Sequence, residues 1–144
     1  MNSALYEDDY YLWLEKTAQL LRKGKLSELD IPNLAEEIED MGRSERRAVK
    51  SNLIVILMHL LQYTYQPDKR SSSWLNSITE HRTRVELVLE DSPSLKPYLE
   101  EVFPACYHKA RRDAAIETGL PCDVFPLESP FSVEEALSPN WLPD

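Results

Sequence analysis

Glycine, cysteine and long apolar runs are all scarce in this sequence, and each shortage narrows what the chain can be. Only three glycines occur in 144 residues. A protein built from hairpins needs turn residues at every corner, so the shortage favours long helices over an all-β fold. The two cysteines, Cys106 and Cys122, form no Cys-x-x-Cys pair, which argues against a secreted disulfide scaffold and fits a reducing compartment. The longest apolar run, Leu53 to Leu61, is interrupted by His59 and reaches about half of the roughly 20 residues a membrane span needs. Near the N-terminus stands Tyr6-Glu7-Asp8-Asp9, acidic where an export signal is basic and then apolar. A cytoplasmic location without membrane contact is the expectation. Gly-rich phosphate loops, zinc-finger spacing and a nucleophile elbow are missing too, so no cofactor is expected.

What is present suits one helical domain over residues 1–144. Hydrophobic residues make up 42% and charged residues 28%, enough apolar surface to exclude wholesale disorder. A first helix is expected from Tyr6 to Lys23, with Tyr6, Tyr10, Trp13, Thr17, Leu20 and Leu21 on one side and Gly24 as terminator. Asp30 is a good N-cap for a second, whose stripe Leu34, Ile38, Met41 reads as its inward face. At Gly42 the chain either kinks or continues into a segment, Val49 to Tyr63, that is apolar nearly all round and reads as the buried middle of a bundle. Pro67 ends that segment, and Ser71-Ser72-Ser73 supplies caps for a helix carrying Trp74, Ile78, Val85 and Leu89. A further helix from Leu95 to Thr118 contains Pro104, which should kink or split it, and stops at Gly119. Residues 120–144 hold five of the ten prolines, so they read as an extended strap over the bundle, with one short helix from the capping box Ser132-Val133-Glu134-Glu135. The expected fold is all-α, a largely antiparallel up-down bundle with this proline-rich strap.

Several stretches taken together resemble a bacterial family of unknown function, domain-of-unknown-function family 29, along almost the whole length. They are Tyr6-Glu7-Asp8-Asp9 with Trp13; Leu29-Asp30 with Asn33 to Gly42; His59-Leu60-Leu61; Gln66-Pro67 with Arg70 to Trp74; Asp91 to Leu95; and Glu117 to Pro121. The resemblance implies an all-helical bundle and no established activity. One departure is Tyr63 to Tyr65, where the family pattern is expected to carry a lysine and a tryptophan.

The net charge of −9 averages over a pattern: residues 1–42 sum to −6, residues 43–84 to +5 and residues 85–144 to −8. Acidic flanks can neutralise a basic middle inside one fold. Alternatively Arg43, Arg46, Arg47 and Lys50 in the 43–50 segment form an exposed stripe for an acidic protein or a phosphate backbone, although the overall acidity counts against nucleic acid.

Three residues form the main catalytic candidates. Glu37 sits at the margin of the Leu34 stripe, His59 at the margin of the apolar segment and Arg70 beyond it. If the two helices are neighbours, Glu37 and His59 could meet as a general-base pair or as two metal ligands, with Arg70 as an electrostatic clamp. The plainer alternative is a hydrogen-bonded His59 and a structural Glu37. A three-histidine metal site from His59, His81 and His108 lacks the Glu-x-x-His spacing of helical dimetal centres. Arg70, Ser71, Ser72 and Ser73 combine a cation with a helix N-terminus and could hold an anion, or serve as an ordinary cap. Cys106 reads as structural. By elimination the leading expectation is a non-enzymatic interaction module with an unidentified protein partner, a homo-oligomer included. A metal-dependent or acid/base hydrolase built on Glu37, His59 and Arg70 is the alternative, and nucleic-acid binding through 43–50 is the second.

Overall fold

Caps and breakers divide the chain into six α-helices in the computed structural model, which describes residues 3–144. These are α1 (Ser3–Asp8), α2 (Tyr10–Arg22), α3 (Ile31–Tyr65), α4 (Ser72–Asp91), α5 (Leu95–Thr118) and α6 (Val133–Leu137). Short 3-10 turns at Leu26–Glu28, Pro67–Lys69 and Cys122–Val124 punctuate the connections. Among the described residues there is no strand, and no helix is long and apolar enough to cross a membrane.

The local chemistry explains most of these boundaries. Asp9 breaks the expected first helix in two: its carboxylate accepts the Leu12 N–H at 3.1 Å, which makes it the N-cap of α2. Ser71 accepts the Trp74 N–H at 3.3 Å, and Ser132 and Glu135 form the expected reciprocal capping box. Gly119 takes φ 71° and closes α5 with an N–H to Ala115 bond of 2.9 Å, the left-handed C-cap that a residue with a Cβ adopts only under strain.

Two proline and glycine expectations resolve toward continuity. Helix α3 runs through Gly42 without a break for 35 residues, and α5 runs through Pro104 as a single element. One missing hydrogen bond inside a 24-residue helix whose core face is well packed does not outweigh that packing.

The chain divides into two compact units, Met1–Ser44 and Glu45–Asp144. The contiguous hydrophobic core belongs to the second unit. Val49, Leu53, Ile56, Leu57 and Leu60 recur at helical spacing along α3; Ile78 and Val85 come from α4; Leu99, Phe103, Tyr107, Ala110 and Ala114 come from α5. Phe125, Phe131 and Ala136 from the proline-rich stretch join the same cluster, which explains why that stretch is apolar.

In the first unit the expected inward stripe is not inward. Ile38 and Met41 are 59% and 61% exposed and Ile31 is 56% exposed, while Leu34 is half-buried. Trp13 of this unit is fully buried and contacts Tyr6 edge-on at 4.8 Å between ring centroids.

Candidate functional site

A constellation of chemistry-bearing side chains in the first unit gathers around Glu37. Tyr6 comes from α1, Tyr10 and Trp13 lie three residues apart on α2, and Glu37 lies on α3. The Tyr6 hydroxyl donates to Oε1 of Glu37, and the Tyr10 hydroxyl donates to Oε2 at 2.5 Å. Tyr10 in turn lies parallel to Trp13 with 6.2 Å between ring centroids and edge-on to Tyr6 at 5.8 Å. One carboxylate therefore ties α1 and α2 to α3 through two charge-assisted bonds.

That geometry decides what the cluster can do. The hydrogen bond to the carboxylate and its negative charge hold both phenols in the protonated form, pushing Tyr6 up to about 12 and Tyr10 in the same direction. Neither is a phenolate nucleophile at neutral pH, and both Glu37 oxygens already accept a proton donor. On the same face of α2, Trp13 Nε1 and Thr17 Oγ1 are buried without a hydrogen-bond partner, an unusual pair of orphaned polar atoms four residues apart.

The other sequence candidates have partners of their own. His59 lies on α3 with Glu37, so the two are not on the neighbouring helices that their pairing required. Its Nδ1 is 2.7 Å from Oε1 of the buried Gln62, and burial lowers the imidazole below its ordinary value, which keeps it neutral. Arg70 donates from Nε to the Tyr63 carbonyl at 2.8 Å and from Nη2 to the Asp144 carbonyl at 2.6 Å, with its guanidinium 3.9 Å from the centroid of the Tyr63 ring. Ser71 is occupied as the α4 cap, while Ser72 and Ser73 begin that helix.

Of the basic segment, Arg43 pairs with Glu36 at 3.0 Å and with Asp40, and Arg46 lies 4.4 Å over the Tyr98 ring; Arg47 and Lys50 are exposed. His81 Nδ1 bonds the Ser77 carbonyl at 2.7 Å. His108 lies beside Tyr107 at 6.1 Å between ring centroids. Among the described residues no group of three His, Cys, Asp or Glu side chains is placed to hold a metal ion. Cys106 is buried, which pushes its thiol up and away from thiolate reactivity, and Cys122 is a free thiol.

Sequence reasoning missed the two phenols on Glu37. The signal was present in the Tyr6, Tyr10, Trp13 spacing, but a helical aromatic stripe reads first as core. Also missed was Arg82, which burial and charge set apart in the second unit.

No curated protein and no solved structure matches the chain significantly. The stretches that meet at the Glu37 cluster, Tyr6 to Asp9 with Trp13 and Asn33 to Gly42, carry the resemblance drawn from sequence, and the model of the family described as Domain of unknown function DUF29 matches residues 5–142: the chain belongs to that family.

Proposed function

We propose that this protein is a non-enzymatic helical module that binds another protein through the apolar stripe of α3. The observation that carries the reading is the exposure of Ile31, Ile38 and Met41, each more than half open, on a helix face whose 7- and 3-residue spacing is that of a packing seam. Aliphatic side chains aligned on one face gain most when a second apolar helix face covers them. Tyr11, 70% exposed on α2, adds an aromatic of the type that anchors interfaces.

The fate of the hydrolase candidates supports the same reading. Glu37 is occupied by two phenols, His59 is neutral and engaged by Gln62, and Arg70 is engaged by carbonyl oxygens. On this reading residues 120–144 are a strap that steadies the second unit through Phe125 and Phe131, and the protein works in the cytoplasm.

The test is affinity capture with the untagged stripe intact against an Ile38→Ser/Met41→Ser double variant. Both positions are exposed, so the helical circular-dichroism signal should not change. A protein retained by the native chain and lost from the variant supports the reading; equal retention by both overturns it.

A further inference from the structure

A cation without a counter-ion is built into the second unit. Arg82 is only 5% exposed. Its Nε donates to the Ala136 carbonyl at 2.8 Å and its Nη2 to the Glu135 carbonyl at 3.2 Å, at the C-terminal turn of α6. These are neutral acceptors. The acid two residues before it, Glu80, is paired with Arg84 at 2.6 Å, and among the described residues no carboxylate lies within ion-pair distance of Arg82 and Nη1 makes no hydrogen bond. A guanidinium stays charged when buried, and a desolvated charge held only by carbonyl dipoles gains strongly from an anion.

The surroundings give that anion a place to sit. Arg82 lines a cavity of about 420 Å³, within the usual range for a small-molecule site. Val85, Leu89, Leu137 and Pro139 supply apolar walls. Lys96 adds a second positive charge, while Glu86 and Glu90 add two negative ones. Two of the five guanidinium N–H donors are used on α6, and the remaining ones on Nη1 and Nη2 have no protein partner.

We propose that this cavity binds an organic monocarboxylate with an apolar body, its carboxylate on Arg82 and its hydrocarbon against Leu89, Leu137 and Pro139. Charge selects the class. A neutral apolar molecule fills the walls and leaves the cation uncompensated. A phosphate dianion meets stronger repulsion from Glu86 and Glu90 than a single negative charge does. The competitor is internal: Glu86 stands one helical turn after Arg82 on α4, a spacing at which the two side chains can pair. This site is independent of the α3 stripe.

Calorimetric titration of the full chain with octanoate, 1-octanol and octyl phosphate tests the assignment. Octanoate is expected to bind saturably, one per chain, with octanol at least about tenfold weaker because it lacks the charged hydrogen bond, and octyl phosphate weaker than octanoate. A Leu89→Trp variant, which fills the cavity without touching the Arg82 bonds to α6, is expected to lose binding with its helical signal intact; should that variant unfold, the octanoate-to-octanol comparison on the native chain decides alone. Glu86→Gln is expected to keep or tighten octanoate binding. Equal affinity for octanol and octanoate, tighter binding of octyl phosphate, no saturable heat up to roughly 10 mM, or unchanged binding in folded Leu89→Trp each overturns the proposal.

Discussion

The Tyr6 hydroxyl donates to Oε1 of Glu37 across 31 residues of sequence, so the first unit is tied together by a phenol and a carboxylate as well as by apolar packing. The bond fixes a pH signature. Tyr6 is held up to about 12, first by the hydrogen bond to Glu37, then by burial and by the charge of Glu37. A phenol whose folded value lies above its unfolded one contributes stability that is complete below pH about 10 and lost as the pH rises through about 12. In Glu37→Gln the amide carries no charge, so the tyrosinate absorbance of Tyr6, taken as the difference from a Tyr6→Phe chain, should move down toward the ordinary value. An unmoved titration would mean that Glu37 does not hold the phenol.

His59 titrates with the opposite sign. Burial holds its imidazole below the ordinary value, with the charge of His81 acting in the same direction and Gln62 and Glu117 opposing. The neutral ring therefore contributes stability that is complete above pH about 6.5 and lost as the pH falls through the depressed folded value. Urea unfolding should show a falling midpoint from pH about 7.5 to about 5 in the native chain, and a shallower fall in His59→Gln. Equal slopes in the two chains would remove His59 from the acid response.

The features legible from sequence are those that local chemistry decides. Ser71, Ser132 and Gly119 act within one helical turn, and the structure places all three as expected. Periodicity located Leu34, Ile38 and Met41 on one face but could not say what covers it, because burial depends on residues far away in sequence. The α1–α2 break at Asp9 is not legible for a related reason: an aspartate near a helix start suits the helix dipole as well as it suits a cap, and the Asp9 bond to Leu12 decides between them. Glu37 stood out as a carboxylate at a helix margin, yet its partners come from another helix pair. Arg82 was hidden in the charge balance of the basic middle, since a sum of charges does not register burial.

Thr17 offers a stability test free of pH. Its hydroxyl is buried beside no acceptor or donor, and Val has nearly the same shape without the polar atom. Removing an unsatisfied buried hydroxyl should raise the stability of Thr17→Val by about 1 kcal/mol, read as an increased urea midpoint. Thr17→Ser keeps the hydroxyl and deletes a methyl group, so it should be destabilised. A loss in Thr17→Val would mean that the hydroxyl has a partner in solution, most simply a bound water.

The glycines of α3 and α5 should respond in opposite directions to one substitution. Gly42 is an exposed position inside a continuous helix, with nothing within 4 Å of the place a Cβ would occupy. Alanine there loses less backbone freedom on folding, so Gly42→Ala should be stabilised by roughly 0.5–1 kcal/mol and raise helicity. Gly119 has equally open space around it but sits at φ 71°. There alanine meets the strain of the left-handed conformation, and Gly119→Ala should lose about 1 kcal/mol. Because both sites lack steric neighbours, the sign of each change reports backbone conformation alone. A destabilised Gly42→Ala would mean that α3 bends or breaks at this position in solution, immediately after the seam of Ile31, Ile38 and Met41.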